Sequence, residues 1–275
     1  MMNLNERLSA NREWLLCFAT FAVVLLLILP LVMNNYVLNI TGRYLSMAFV
    51  AVGLVLCWGY GGLLSLGQGV FFGLGGYFMA MFLKLEASTP AATANQSTPG
   101  IPDFMDWNQL SALPWWWEPF NSFTFTIAAV LVLPALLAYG FGFALFKRRV
   151  SGVYFSIVTL ALASLLQILV VGNQGYTGGE NGITDFSTLL GWDITTAWAD
   201  YVLYYVCAAL LLGCIGGGQW MLNKRAGRVL IAMRDEEERV RFSGYSVVDF
   251  KVFVFVLAAI LSAVGGALFT LQTRF

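Results

Sequence analysis

A charged stretch between two long apolar runs contains the residues best suited to recognise a partner; it extends from Lys224 to Gly244. Asp235 precedes Arg239 and Glu237 precedes Arg241 by four residues, and each such pair stabilises a helix by roughly 0.2–0.5 kcal/mol. Apolar residues recur near one face at helical spacing, namely Ala226, Leu230, Met233 and Val240. Glycine commonly ends a helix, so the pattern predicts one amphipathic helix that terminates at Gly244.

Two interpretations fit this predicted helix. It lies on the membrane surface, where its basic residues meet anionic lipid, or it docks in a groove of a cytoplasmic protein. Four consecutive acidic residues, Asp235 to Glu238, argue against a role in lipid binding alone. We therefore favour docking to a protein.

Residue types needed for catalysis are missing from this chain. It has no histidine, the commonest general base and metal ligand. Its cysteines lie in apolar segments without Cys-x-x-Cys spacing. A phosphate-binding loop needs Gly-Lys before Ser or Thr, and none of the lysines follows a glycine. We expect no enzyme activity, cofactor, metal site or nucleic-acid binding; if ATP drives the protein, another subunit binds it.

Composition places the chain in a membrane. Hydrophobic residues make up 59% and charged residues 11%, whereas soluble domains are roughly 25% charged. Seven apolar runs are close to the roughly 20 residues needed to cross a bilayer: 14–33, 44–61, 69–85, 123–146, 151–171, 201–222 and 251–272. Both faces of each run are apolar, which favours helices over barrel strands. We predict one all-α polytopic domain over residues 1–275, with about seven spans.

The basic residues fix the orientation of the predicted spans. Most of the 15 Lys and Arg residues precede the first span, separate the fourth and fifth, or lie in the loop 223–250. The loops 86–122 and 172–200 contain only acidic charges. Cytoplasmic loops are enriched in Lys and Arg, so the N-terminus and the loop 223–250 are predicted to be cytoplasmic.

Glycine is unusually dense from Gly59 to Gly76. Small residues permit tight helix packing, and the same density suits a broken or re-entrant helix that lines a cavity. Gln68 is the one strongly polar side chain between Gly59 and Lys84, which favours the second interpretation slightly.

Charge is nearly absent from the middle of the predicted spans. Ion-coupled transport normally uses carboxylates or basic residues within the membrane. The outer segment Gly172 to Thr184 is instead rich in glycine, amides and hydroxyls. Such groups suit either a solvated turn or hydrogen bonds to a small neutral solute, and composition alone favours the turn.

Several segments together resemble the permease subunits of branched-chain amino acid ABC importers. They cover most of residues 44–271 and are Gly61 to Tyr77, Gly152 to Ala161, Thr177 to Ile183, Gly227 to Asp235 with Gly244 and Lys251, and Ser262 to Leu268. Within that family, Ile101 to Trp107 and Leu113 to Phe120 resemble an insert of the urea-transporting branch.

This resemblance implies a membrane-spanning subunit of the bacterial inner membrane that translocates urea. Its partners would be cytoplasmic ATP-binding subunits, a second homologous permease, an external solute-binding protein and the lipid bilayer. A branched-chain amino acid permease is the alternative in the same class, and a passive small-solute channel is the alternative in another. Relatives continue past the equivalent of Phe275, so the chain is expected to be C-terminally truncated.

The resemblance and the residue types together nominate two groups of functional residues. The residues expected to couple the permease to the ATPase are Gly227, Arg228, Ala232, Arg234, Asp235 and Gly244. The residues expected along the substrate path are Gln68, Thr159, Gln167 and Asn181.

Overall fold

Helices make up nearly all of the fold. The computed structural model of the protein describes residues 4–150 and 152–273, with side chains from residue 12 onward. Within these ranges seven helices are long and apolar enough to cross a membrane: Arg12–Val32, Asn35–Tyr60, Gln68–Ala87, Phe123–Lys147, Gly152–Gly172, Ala197–Leu222 and Val247–Thr273. The predicted all-α architecture and number of spans are confirmed. Phe275, beyond which relatives were expected to continue, lies outside the described residues.

The first two spans each contain a π-helical turn. The first is α1 (Leu4–Val23), a π-helical turn (Val24–Ile28) and α2 (Leu29–Val32); the second is α3 (Asn35–Leu54) followed by a π-helical turn (Val55–Tyr60). Pro30 near the start of α2 has no N–H to donate, and the first π-helical turn directly precedes α2.

The other elements follow in chain order. They are α4 (Gln68–Ala87), α5 (Asp103–Trp107), a 3₁₀ turn (Glu118–Asn121), α6 (Phe123–Lys147), α7 (Gly152–Gly172), α8 (Gln174–Thr177), β1 (Thr188–Leu189), β2 (Trp192–Asp193), α9 (Ala197–Leu222), α10 (Arg225–Asp235), α11 (Glu237–Phe242) and α12 (Val247–Thr273). β1 and β2 form an antiparallel hairpin in which Thr188 faces Asp193.

The second and sixth spans begin earlier than the hydropathy of the sequence predicted. Asn34 caps α3 by accepting a hydrogen bond from the Val37 N–H at 3.0 Å, and Thr196 caps α9 through the Ala199 N–H at 3.3 Å. The added turns contain Arg43 and Asp200, whose charges interrupt the apolar pattern. Arg43 donates from Nε to the Gln272 carbonyl at 3.0 Å, close to the end of α12. A cation there offsets the partial negative charge of that helix terminus.

α12 lies at the centre of the bundle, where it packs against α3, α4 and α6. It crosses α4 at very short range because glycine lies at the contact on both helices. A Cβ added at Gly75 would meet the Ala263 carbonyl, and one added at Gly266 would meet the Phe72 carbonyl. Small residues permit such close helix crossings in membranes.

The two ends of the bundle carry different loops. At the outer end, the Glu86 carboxylate accepts hydrogen bonds from the Leu190 and Gly191 N–H groups at 2.9 and 2.6 Å, which joins the two outer loops. The insert between α4 and α6 packs Phe104, Met105 and Trp117 against Met81 of α4 and Ala129 of α6 in one apolar cluster. At the opposite end, which the basic residues predict to be cytoplasmic, lie α10 and α11.

Candidate functional site

The cytoplasmic charged stretch forms two short helices, α10 and α11, rather than one. Glu236 adopts an extended conformation, with φ −147° and ψ 75°, which breaks the helix after Asp235. Three of the four residues predicted to form the apolar face, Leu230, Met233 and Val240, are buried. Gly244 follows α11 with φ +85°, a left-handed conformation suited to glycine.

The break at Glu236 changes the expected ion pairs. Glu237 does accept from Arg241 at 2.8 Å, as predicted. The predicted pair of Asp235 with Arg239 is wrong, because the two residues lie in different helices. Asp235 contacts Arg234 at 2.9 Å, and Arg239 lies 3.9 Å from Glu236.

Two contacts hold this loop against the spans. A Cβ at Gly227 would overlap the backbone of Leu222 at the end of α9, so only glycine permits the observed crossing. Lys251 at the start of α12 is buried and donates to the Glu237 carboxylate at 2.7 Å. These contacts fix the position of the loop relative to α9 and α12.

Arg234 connects α10 to the glycine-rich part of the chain. Its Nη1 donates to the Gly59 carbonyl at 2.6 Å, at the end of the second span. Its side chain also packs beside Gly62, where an added Cβ would lie 3.1 Å from Arg234 Cγ. Arg234 thus joins α10 to the end of the second span and to Gly62 just after it.

The outward surface of α10 and α11 forms a shallow basic groove of about 540 Å³. Its walls include two of the predicted coupling residues, Arg228 and Ala232, together with Arg225, Arg239 and Tyr245. Exposed guanidinium groups suit carboxylates on another protein, because they bind in a bidentate manner.

The glycine-rich stretch contains a broken helix, as one of the two sequence interpretations proposed. Residues 61–67 are not helical and run between the π-helical turn that ends at Tyr60 and the start of α4 at Gln68. Side chains of α7 satisfy part of this open backbone. Ser156 Oγ donates to the Leu64 carbonyl at 2.6 Å, and Thr159 Oγ1 accepts from the Leu66 N–H at 3.1 Å. Irregular backbone inside a membrane protein needs such partners.

Gln68 lies at the start of α4 and is only 2% exposed. Its side-chain amide contacts the Ser262 hydroxyl of α12, with 3.0 Å between Oε1 and Oγ. Thr159, another predicted path residue, binds the Leu66 N–H, so its contact lies two residues before Gln68 in the same segment.

An outer cavity of about 320 Å³ lies between α4, α12 and the loop after α8. Its wall includes Phe72, Gly76, Tyr77, Asn181, Phe269 and Thr270. None of the described residues that line it is charged. The Tyr77 hydroxyl donates to the Thr177 carbonyl at 2.6 Å and so holds the loop that carries Asn181. Asn181 is thereby placed at an uncharged opening toward the outer side.

Gln167, the remaining predicted path residue, is exposed on α7, further toward the outer end than Thr159. It is not among the residues that line the outer cavity. Its assignment to the substrate path stays a prediction.

Sequence reasoning missed several polar residues that position these regions. Ser156 precedes Thr159 by three residues, a spacing that places both on one face of a helix and would have indicated a shared partner. Lys84 is buried and pairs with Asp103 of the insert at 2.8 Å, while its Nζ also donates to the Thr184 carbonyl at 2.7 Å. Lys84, Asp103 and Thr184 are far apart in the sequence, so no local pattern indicated these contacts.

Comparison with known proteins identifies the family. Residues 36–275 match the family described as the permease component of branched-chain amino acid transport systems. The chain belongs to this family. Members are permease components of ABC transporters and are not themselves enzymes, and with its seven apolar helices this chain is a multi-pass protein of the inner membrane.

Two relatives carry the name high-affinity branched-chain amino acid transport system permease protein LivM. The protein from Escherichia coli is 25% identical over 284 residues, which cover 94% of this chain and 58% of the relative. The protein from Salmonella typhimurium is 25% identical over 272 residues, which cover 90% of this chain and 55% of the relative. This permease chain thus spans less than two thirds of either relative's length. No solved structure matches it.

Proposed function

We propose that this permease chain translocates urea across the inner membrane, driven by ATP hydrolysis in partner subunits. The observation that carries the proposal is the uncharged wall of the outer cavity, which includes the polar side chains of Tyr77, Asn181 and Thr270. Urea is neutral and hydrogen-bonds through one carbonyl and two amino groups. A wall that offers hydroxyl and amide groups suits such a solute without the cost of burying a charge.

The cytoplasmic groove is the proposed docking site of the ATP-binding subunits. Arg228 and Ala232 lie on its surface, Gly227 sets the approach of α10 to α9, and Gly244 ends α11. Arg234 pairs with Asp235 and donates to the Gly59 carbonyl at the end of the second span. In this mechanism, closure of the ATPases moves α10, and Arg234 passes the movement to residues 59–67.

The remaining partners are proposed from the family and from the exposed apolar surface. α7 is largely exposed, with Val153, Tyr154 and Ile157 directed away from the bundle. This face suits a second permease subunit or lipid tails. The outer cavity opens toward the side on which an external solute-binding protein would deliver its ligand.

Transport of branched-chain amino acids is the second candidate. Two relatives bear that description, and the aromatic wall of the outer cavity, with Phe72, Phe186 and Phe269, would accommodate a branched apolar side chain. An amino acid also carries an ammonium and a carboxylate. The described residues of the cavity wall offer no charged partner for either group.

Uptake measurements distinguish these proposals. The full-length protein is expressed with its partner subunits, and uptake of radiolabelled urea and leucine is followed with and without ATP depletion. The urea assignment predicts ATP-dependent urea uptake that excess unlabelled leucine does not inhibit. ATP-dependent leucine uptake without urea uptake would favour the second candidate. Urea flux that persists after ATP depletion would instead indicate a passive channel.

A further inference from the structure

Polar and small residues meet along the α4–α12 contact at intervals of one helical turn. Thr270 Oγ1 donates to the Gly76 carbonyl at 3.2 Å, Gly266 packs against Phe72, and Ser262 contacts Gln68 at 3.0 Å. The first two pairs line the outer cavity. The pair of Gln68 and Ser262 therefore lies one helical turn deeper than the cavity wall, at the broken end of α4.

Gln68 has a hydrogen-bonding atom without a partner. The Ser262 hydroxyl has one proton, and two oxygens lie within reach of it: the Gln68 amide oxygen at 3.0 Å and the Ala258 carbonyl at 2.9 Å. Oxygen and nitrogen of a glutamine amide are distinguished by their hydrogen bonds. In either orientation of the amide, only one of its two polar atoms contacts Ser262, and the other has no partner among the described residues.

A second unpaired polar atom lies three residues earlier in the chain. Ser65 Oγ is in the non-helical segment, its residue is 1% exposed, and it has no partner among the described residues. The start of α4 adds N–H groups that no side chain caps. Nearly all buried polar atoms in native proteins are paired. Here two unpaired side-chain atoms lie three residues apart beside an uncapped helix start, an arrangement in which one small polar molecule could pair with both.

We propose that this junction is an occluded hydrogen-bonding subsite for the translocated solute, reached from the outer cavity. The subsite consists of Gln68, Ser65 and the N-terminus of α4, and it takes a small neutral amide. The carbonyl oxygen of the solute accepts from N–H groups at the start of α4, where the helix carries partial positive charge. Its amino groups donate to the oxygens of Gln68 and Ser65. The proposal rests on the proposed function and specifies where along the route the solute is recognised.

The test compares two buried glutamines that differ in their position. Gln68→Leu removes the hydrogen-bonding groups of the subsite. Gln272→Leu is the matched control, because Gln272 is also 2% exposed and also carries one unpaired amide atom. Its Nε2 donates to Ser46 on α3, and the residue does not line the outer cavity. Both variants are made in the full-length protein with its partner subunits.

Uptake of radiolabelled urea is then measured as a function of urea concentration. Loss of hydrogen bonds to the solute predicts that Gln68→Leu raises the KM about tenfold. The yield of assembled complex is measured for each variant in parallel. Gln272→Leu is expected to leave the KM unchanged. The proposed subsite would be refuted if Gln68→Leu left the KM for urea unaltered, or if both variants raised it equally. An ordered water would then be the molecule that pairs with Gln68.

A second variant keeps the test decisive if Gln68→Leu does not assemble. Ser65→Ala removes one hydroxyl and adds no bulk, so folding is preserved. We expect Ser65→Ala to raise the KM for urea and to reduce discrimination between urea and N,N′-dimethylurea. An unchanged KM together with unchanged discrimination would refute the subsite.

Failure of the proposed function gives a different result. If the wild-type complex takes up leucine and not urea, the urea assignment is wrong, and the three proteins are compared again with leucine. A KM for leucine that is raised in Gln68→Leu alone would retain the subsite for another solute. An unchanged KM for leucine would refute the subsite as well.

Discussion

The outer insert and the cytoplasmic loop are each tied to a span by a buried lysine, Lys84 and Lys251, but only the cytoplasmic loop also carries exposed arginines. Lys84 at the outer end is buried, with 4% of its side chain exposed, and binds Asp103 and the Thr184 carbonyl. At the cytoplasmic end, Arg228 and Arg239 remain exposed beside a groove. A buried pair fixes a loop within its own chain, whereas exposed arginines remain available to a partner. The comparison supports a structural role for the outer insert and is consistent with the proposal that the cytoplasmic loop binds a partner.

The largest expected effect is the loss of stability when the buried outer pair is broken. Asp103→Asn leaves the Lys84 ammonium buried without its counter-charge, which costs about 3 kcal/mol for a buried pair. Thermal unfolding of the detergent-purified complex measures this loss. The double variant Lys84→Met with Asp103→Asn removes both charges and should regain part of the stability. Equal stability of the wild type and Asp103→Asn would show that the insert is not anchored by this pair.

Transport should be reduced strongly when the approach of α10 to α9 is obstructed. A side chain at position 227 overlaps the backbone of Leu222, so Gly227→Val pushes α10 away from the end of α9. We expect a fall in solute uptake of about tenfold or more, a barrier change of roughly 1.4 kcal/mol, while ATP hydrolysis continues. Gly217→Val is the control, because an added Cβ there meets nothing within 4 Å. A normal ratio of uptake to ATP hydrolysis in Gly227→Val would contradict the coupling role.

A smaller uncoupling is expected from Arg234→Ala. This change removes the 2.6 Å hydrogen bond from the Arg234 guanidinium to the Gly59 carbonyl, and because 42% of that side chain is exposed, water screens part of the loss. The number of solute molecules transported per ATP hydrolysed should fall several-fold, with the complex still assembled. Arg148→Ala, an exposed arginine on the same side of the membrane, should leave this ratio unchanged. If both variants transport the same number of solute molecules per ATP hydrolysed, Arg234 has no role in coupling.

The smallest effect on stability is expected at Arg239. Its side chain is 83% exposed and 3.9 Å from Glu236, so the pair contributes less than about 0.5 kcal/mol. Arg239→Ala should therefore leave the unfolding temperature unchanged but weaken the affinity of the ATP-binding subunits for the complex, measured by co-purification at increasing salt. Unchanged co-purification would count against the groove as the docking site.

Local patterns were sufficient to predict the spans and part of the cytoplasmic loop. Apolar runs near bilayer length identified all seven spans, because backbone groups in lipid must pair within a helix. The pair of Glu237 and Arg241 also formed as predicted, since both residues lie within α11. The pair of Asp235 and Arg239 failed because no nearby glycine or proline signalled the break at Glu236.

The sequence by itself determined that this protein is a polytopic helical membrane protein with its basic loops on one side. Hydropathy and charge act residue by residue, so the linear pattern is sufficient for that conclusion. Only the tertiary structure decided which polar residues meet: Gln68 with Ser262, Lys84 with Asp103, and Arg234 with Gly59. Each of these contacts joins segments that are far apart in the chain. Such partners depend on how the helices pack and not on local spacing, so sequence periodicity could not predict them.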